Sequence, residues 1–149
     1  MDRREAILAR LPEIAQLVTT IDTIKRNTNE FSDLSRPAIV SLDGDEEQSD
    51  RDSESRPPNA PRRMTLKAQL VVLASGMPET IGTTINGLRV KLLKGIVSDA
   101  QLIALVLDGA KRQSIRYEGA TLTMGSGRQI EAELRLDFAF TYALRFDEL

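Results

Sequence analysis

The run Arg128–Phe146, RQIEAELRLDFAFTYALRF, constrains the fold more than any other stretch of this chain. From Ile130 every second residue is apolar or alanine: Ile130, Ala132, Leu134, Leu136, Phe138, Phe140, Tyr142, Leu144 and Phe146. Between them stand Glu131, Glu133, Arg135, Asp137, Ala139, Thr141, Ala143 and Arg145. A period of two is the mark of a strand with one dry face and one wet face. The spacing predicts a strand over 130–146, which would reach roughly 56 Å at ~3.3 Å per residue. Ordinary strands run about 5–6 residues, so this one exceeds what a single small core asks for.

The rest of the chain alternates between the two periods. Asp2 is placed to cap a helix, with Glu5 three residues on as a capping box, and Ile7, Leu11, Ile14 and Val18 form one apolar stripe. Pro12 lies inside that stripe and predicts a kink or break. Thr19–Asn27 is rich in β-branched residues and reads as a strand, followed by a polar connector, TNEFSDLS. Pro37 opens a further strand over Ala38–Leu42. Met64–Ala74 alternates again, and Gly76 ends it. Pro78 and Glu79 suit the first turn of a second helix with the stripe Ile81, Ile85, Leu88, Leu92. Gly82 and Gly87 inside it cost roughly 1 kcal/mol each relative to alanine, which a close approach by another backbone would explain. Ser98 with Gln101 marks a third helix start, and Gly109 its stop. A strand over 111–118 and a turn at Gly125–Ser126–Gly127 lead into the terminal strand. The expected class is α+β: a mainly antiparallel mixed sheet of about four to five strands, flanked by two to three helices, in one domain spanning 1–149.

Residues 43–63, DGDEEQSDRDSESRPPNAPRR, differ from everything around them. Seven acids stand against four arginines, with three prolines and Ala60 as the one apolar residue. Such a segment buries too little to offset its ordering entropy. It is expected to be a mobile loop between two strands, either a solvated tip or an arm that orders against a partner.

Composition closes off several kinds of chemistry. With no cysteine there is no disulfide, thiolate nucleophile or zinc–sulfur site, and with no histidine the commonest general base and metal ligand are missing. Net charge is −2, and beyond Arg62 and Arg63 there is no basic stripe of the kind a nucleic-acid binder carries. Lys111, Arg112 and Arg116 are sparse and aromatics make up 4%, too few for base stacking. No apolar run approaches the ~20 residues of a membrane span. MDRREAIL lacks a long apolar run and a cleavage site, so no signal peptide is expected.

The motifs that remain are weak. Gly125–Ser126–Gly127 lacks the rest of a phosphate-binding fingerprint and precedes a strand. Asp50, Asp52 and Glu54 have calcium-loop spacing, but Ser55 stands where glycine is needed and Pro61 where a bidentate glutamate is needed. No catalytic, cofactor-binding or metal-binding residues are assigned. The candidate surface residues are Glu131, Glu133, Arg135, Asp137 and Arg145 on the wet strand face, and Asp45, Glu46, Glu47, Asp50 and Asp52 in the acidic segment. A charged strand face is either solvated or an assembly surface that sets register and partner choice.

In their order, RPAIVSLDGDEE, a long polar insertion, MTLKAQLVVLA, INGLRVKLLKGIVSDAQLIAL and EAELRLDFAFTYAL resemble the tail-terminator proteins of long-tailed phages, the minor tail protein U type. The resemblance covers nearly the whole chain and contains no catalytic signature. It implies a mixed sheet flanked by helices, and a hexameric ring that caps the tail tube, stops its polymerisation and offers a surface to the head connector or neck protein. It implies assembly in the host cytoplasm, a place at the top of the virion tail, DNA passing through the ring and no cofactor. A closed ring needs two complementary patches on each subunit. On this reading the far half of strand 130–146 packs on the next subunit or extends its sheet. The alternatives are another neck, head-closure or tail-completion protein, or a non-viral dimeric α+β binding module.

Overall fold

The long terminal strand lies inside a sheet and is matched there by a partner of equal length. A computed structural model describes residues 1–49, 56–107 and 113–149. In chain order the elements are α1 (Arg3–Val18), β1 (Thr23–Arg26), β2 (Ala38–Gln48), β3 (Arg62–Gly76), α2 (Ile81–Ser98), α3 (Ala100–Leu105), β4 (Ile115–Met124) and β5 (Ile130–Leu144), then a 3-10 turn at Phe146–Glu148. The five strands form one sheet in the order β1-β2-β3-β5-β4. Only β1 and β2 run parallel; the other three pairs are antiparallel. The expected α+β class holds.

Strands β3 and β5 are each 15 residues long. They pair residue for residue, from Gly76 opposite Ile130 to Arg62 opposite Leu144. On its other side β5 pairs with β4 from Ala132 to Phe140. Most of β5 therefore has no free edge, and the expectation that it would extend a neighbour's sheet is corrected. Its length is absorbed by β3, which begins two residues before and ends two residues after the Met64–Ala74 span the alternation marks.

One face of the sheet is covered by all three helices. Leu134, Leu136, Phe138, Phe140 and Tyr142 of β5 and Leu66, Leu70 and Val72 of β3 pack under Ile7, Leu8, Leu11 and Ile14 of α1, Ile85, Leu92 and Ile96 of α2, and Leu102 of α3. Burial of this kind is worth about 1.5–3 kcal/mol for each large side chain. It also explains why Pro12 does not break α1: Leu8, Leu11, Ile14 and Ala15 bury the turns on both sides of it. Asp2 caps the helix by accepting from the Arg4 amide at 3.0 Å. Glu5 does not complete a capping box; its carboxylate takes both ends of the Arg26 guanidinium at 2.7 and 3.0 Å. Thr19 ends α1 by donating to the Ala15 carbonyl at 2.7 Å, so β1 is shorter than the composition of 19–27 suggests.

The second helix begins at Ile81, and Pro78 and Glu79 lie in the turn before it. A Cβ on Gly82 or Gly87 would meet nothing within 4 Å, so neither marks a close approach. Gly95 does: a Cβ there would stand 2.7 Å from Val18 Cγ1 and 3.1 Å from Ile14 Cγ2, where α1 crosses α2. Asp99, not Ser98, caps α3, accepting from the Leu102 amide at 2.9 Å, while the Ser98 hydroxyl donates to the Lys94 carbonyl. The strand expected over 111–118 is β4, shifted toward the C-terminus; Lys111, Arg112 and Gly109 lie outside the described residues.

The acidic segment is corrected at both ends. Asp43–Gln48 continues β2, with Glu46, Glu47 and Gln48 opposite Leu66, Thr65 and Met64 of β3, and Arg62 and Arg63 already belong to β3. The remaining connection is 49–61, of which Asp50 and Asp52 lie outside the described residues. The β2 ladder shifts register between Asp43 and Glu46, a β-bulge. Gly44 sits in it because a Cβ there would stand 2.5 Å from the Lys67 carbonyl oxygen. That atom is backbone and cannot swing aside. Gly44→Ala should therefore cost about 2 kcal/mol, in the range for overpacking, read as a lower denaturation midpoint; an unchanged midpoint would contradict the tight approach.

Candidate functional site

The sheet's other face is covered only in part. Phe31 and Leu34 of the connector fold over Ala38 and Val40 of β2 and Val71 and Leu73 of β3, giving a second small core. The Arg135 guanidinium ends this cover, 5.6 Å from the centre of the Phe31 ring. Beyond it, toward β4, the face is polar. Alternation puts Lys67 and Gln69 of β3 and Glu133, Arg135 and Asp137 of β5 on this side, away from the helices.

These side chains hold one another. Gln69 Nε2 donates to Asp137 Oδ1 at 2.6 Å across the β3–β5 pair. Arg135 Nε donates to Glu133 Oε2 at 2.9 Å, and its Nη1 reaches Gln69 Oε1 at 3.5 Å. Lys67 Nζ donates to Glu118 Oε1 at 2.6 Å, spanning from β3 over β5 to β4. Arg116 meets the other Glu118 oxygen at 3.3 Å. The Lys67 ammonium holds the Glu118 carboxyl below its ordinary value. It is a fixed negative charge at neutral pH, suited to an ion pair and not to proton transfer.

A groove of about 520 Å³ crosses this face, lined among others by Asp45, Lys67, Gln69, Glu118 and Asp137. It follows two register shifts that lie on one line across the sheet. The β2 bulge starts at Asp43, opposite Ala68; Ala68 faces Phe138, and Phe138 faces Tyr117, where β4 shifts before Gly119. Gly119 has φ +134°, the region that favours glycine.

Of the candidate residues, the structure brings Glu133, Arg135 and Asp137 into one network and sets Asp45 in the same groove as Asp137. Glu131 is exposed beside the Gly125–Ser126 turn. Glu47 is exposed on β2. Glu46 turns inward; burial pushes its carboxyl above the ordinary value, and Oε1 has no hydrogen-bond partner among the described residues. Arg145 stands apart, just past β5, 4.0 Å from Glu148. Lys67, Gln69 and Glu118 were missed by the sequence reading. Their signal is faint: Lys67 and Gln69 are the polar members of the β3 alternation, and only strand order puts Glu118 within reach.

Among the described residues no group of three acidic side chains is placed to hold a metal ion. No described helix is long and apolar enough to cross a membrane. Compared with models of known protein families, the chain matches none. No curated protein matches it either.

Proposed function

We propose that this chain is a structural subunit of a phage tail, a terminator of the minor tail protein U type. Copies close into a ring, hexameric by the resemblance, which caps the tail tube, ends its polymerisation and meets the head connector. The reading rests on the sequence resemblance together with one observation. The polar half of the second sheet face carries interlocked charges, Lys67–Glu118 and Glu133–Arg135, spread over β3, β5 and β4, the first two of which pair along 15 residues. Charges held on a stiff ladder set register and choose partners more than they add affinity. A face of that kind can serve as one of the two unlike patches that a head-to-tail ring requires. The other patch is presented elsewhere on the same subunit, and the tube protein and connector bind the two rims.

Glu133→Lys tests this. The side chain lies on the polar face, so far-UV circular dichroism should match the parent. Ring formation, followed by light scattering and negative-stain microscopy with tail tubes, should weaken by about tenfold, as expected for losing a rim ion pair and gaining a like-charge contact. Full assembly by the variant, or no ring from the parent with or without tubes, would remove the support. Tails assembled without the protein separate the neighbouring roles: overlong tails fit a terminator, and normal-length tails lacking heads fit a head-closure subunit.

A further inference from the structure

We infer that β4 is a self-pairing edge, and that a second copy of this chain adds to it antiparallel, about a two-fold axis through Leu122, to make a ten-stranded sheet. The inference stands whether or not the chain closes into a ring.

The two edges of the sheet are unlike. Strand β1 has 4 residues and an exposed lysine, Lys25. Short length and lysine are the usual protections of an edge. The first half of β4 is protected too, by Arg116, Glu118 and the register shift before Gly119. Its second half is not. Gly119–Gly127 contains no charged residue. Thr121, Leu122, Thr123 and Met124 are all exposed, with Leu122 48% and Met124 42% accessible. Among the described residues no strand lies on the outer side of β4.

The direction of the backbone groups follows from one bond. The Gly125 amide donates to the Glu131 carbonyl at 2.9 Å, so Gly125 points its hydrogen-bonding groups at β5. Antiparallel ladders alternate. In the observed register Thr123 and Thr121 also point inward, opposite Glu133 and Arg135, while Met124, Leu122 and Ala120 turn theirs to the open side. Those same three side chains lie on the helix-covered face, opposite Ala132, Leu134 and Leu136.

A second copy of the same edge meets all of these conditions together. Setting Leu122 opposite Leu122 of the second copy places Ala120 opposite its Met124 and Thr121 opposite its Thr123. Every outward-turned group then faces an outward-turned group. The apolar row meets an apolar row, threonine meets threonine on the other face, and no charge enters the seven-residue match from Gly119 to Gly125. Thr–Thr and apolar cross-strand pairs are both favourable. A foreign strand would owe nothing to this symmetry.

The chain has no cysteine, which makes a direct test available. In a hydrogen-bonded antiparallel pair the Cα atoms are about 5.5 Å apart, within the roughly 4.4–6.8 Å that a disulfide spans. Under mild oxidation Leu122→Cys should become a covalent dimer, while Leu17→Cys, at the 70% exposed Leu17 position on α1, should stay monomeric. The double variant Thr121→Lys with Thr123→Lys puts lysine opposite lysine and should raise the dimer dissociation constant by about tenfold or more, since like charges directly opposite are destabilising. Mixing it with Thr121→Glu plus Thr123→Glu should restore a mixed dimer, read by sedimentation velocity. Equal cross-linking at both cysteine positions, dimers unaffected by the lysines, or an edge that takes up only the strand of another protein would overturn the inference.

Discussion

Leu136→Asp is expected to abolish the cooperative folding transition at neutral pH. Leu136 is fully buried at the centre of β5, between Leu70 of β3 and Ala120 of β4, under the helices. Losing a buried leucine costs about 2–5 kcal/mol through transfer and cavity terms. Burying a polar group without a partner adds about 1–3 kcal/mol by mutational scales, and a carboxylate far more unless it takes a proton. These two terms together come to about 3–8 kcal/mol, which reaches the lower part of the roughly 5–15 kcal/mol by which domains are stable, and the cost of the buried charge comes on top. The substituted carboxyl would have a raised value in any folded form, so folding would be penalised most above the ordinary carboxylate range and recover in part as pH falls. Thermal melts by circular dichroism and dye binding to exposed apolar surface would show it. A cooperative melt within a few degrees of the parent would mean that the position is not the core site described.

The second large effect is expected at Asp99→Ala, at about 3 kcal/mol, the lower end of what removing one partner from a buried ion pair costs. Asp99 performs two tasks at once. It receives Arg10 Nε at 2.9 Å and Nη2 at 2.7 Å, joining α1 to the junction of α2 and α3, and it caps α3 at Leu102. Both side chains are largely covered, 13% and 12% accessible. Asp99→Asn keeps a capping oxygen and loses the charge, so it should fall between the two. The Arg10 guanidinium beside Asp99 holds the carboxyl below its ordinary 3.8. A depressed folded value gives stability that is fully present above the unfolded value, about 4, and is lost as pH falls through the folded one. The parent should therefore lose stability below about pH 4 more steeply than Asp99→Ala, with their denaturation midpoints converging. Parallel pH profiles would contradict this role for the pair.

How much could be read from residues alone varies along the chain with how far each part is buried. The interior of β3 and β5 was legible because both strands lie over one helical layer, so alternation in sequence maps onto one dry face. The ends of β2 and β3 were not. Asp43–Gln48 and Arg62–Arg63 run past the core, where a strand is held by its ladder and its side chains are exposed or only part-buried. Polar composition there looks the same as a loop. In β4 the register shift before Gly119 moves the helix-facing set from Ile115 and Tyr117 to Ala120, Leu122 and Met124, which erases a single period of two. Pro12 misled because a local rule was outweighed by the burial of Leu8, Leu11 and Ile14. The candidate site was half legible. Glu133, Arg135 and Asp137 show as a polar set in β5, but Gln69, which bonds Asp137 and Arg135, is more than 60 positions away, and only strand order brings Glu118 to Lys67.

The unbroken β3–β5 pairing also governs how the molecule answers mechanical load. A force applied along the direction of these two strands is shared by the whole 15-residue ladder, whose rungs must yield together in shear. The irregularities are confined to the flanking strands β2 and β4, where a sideways pull would peel rungs one after another. The subunit is therefore a stiff strut along one axis and a yielding one across it.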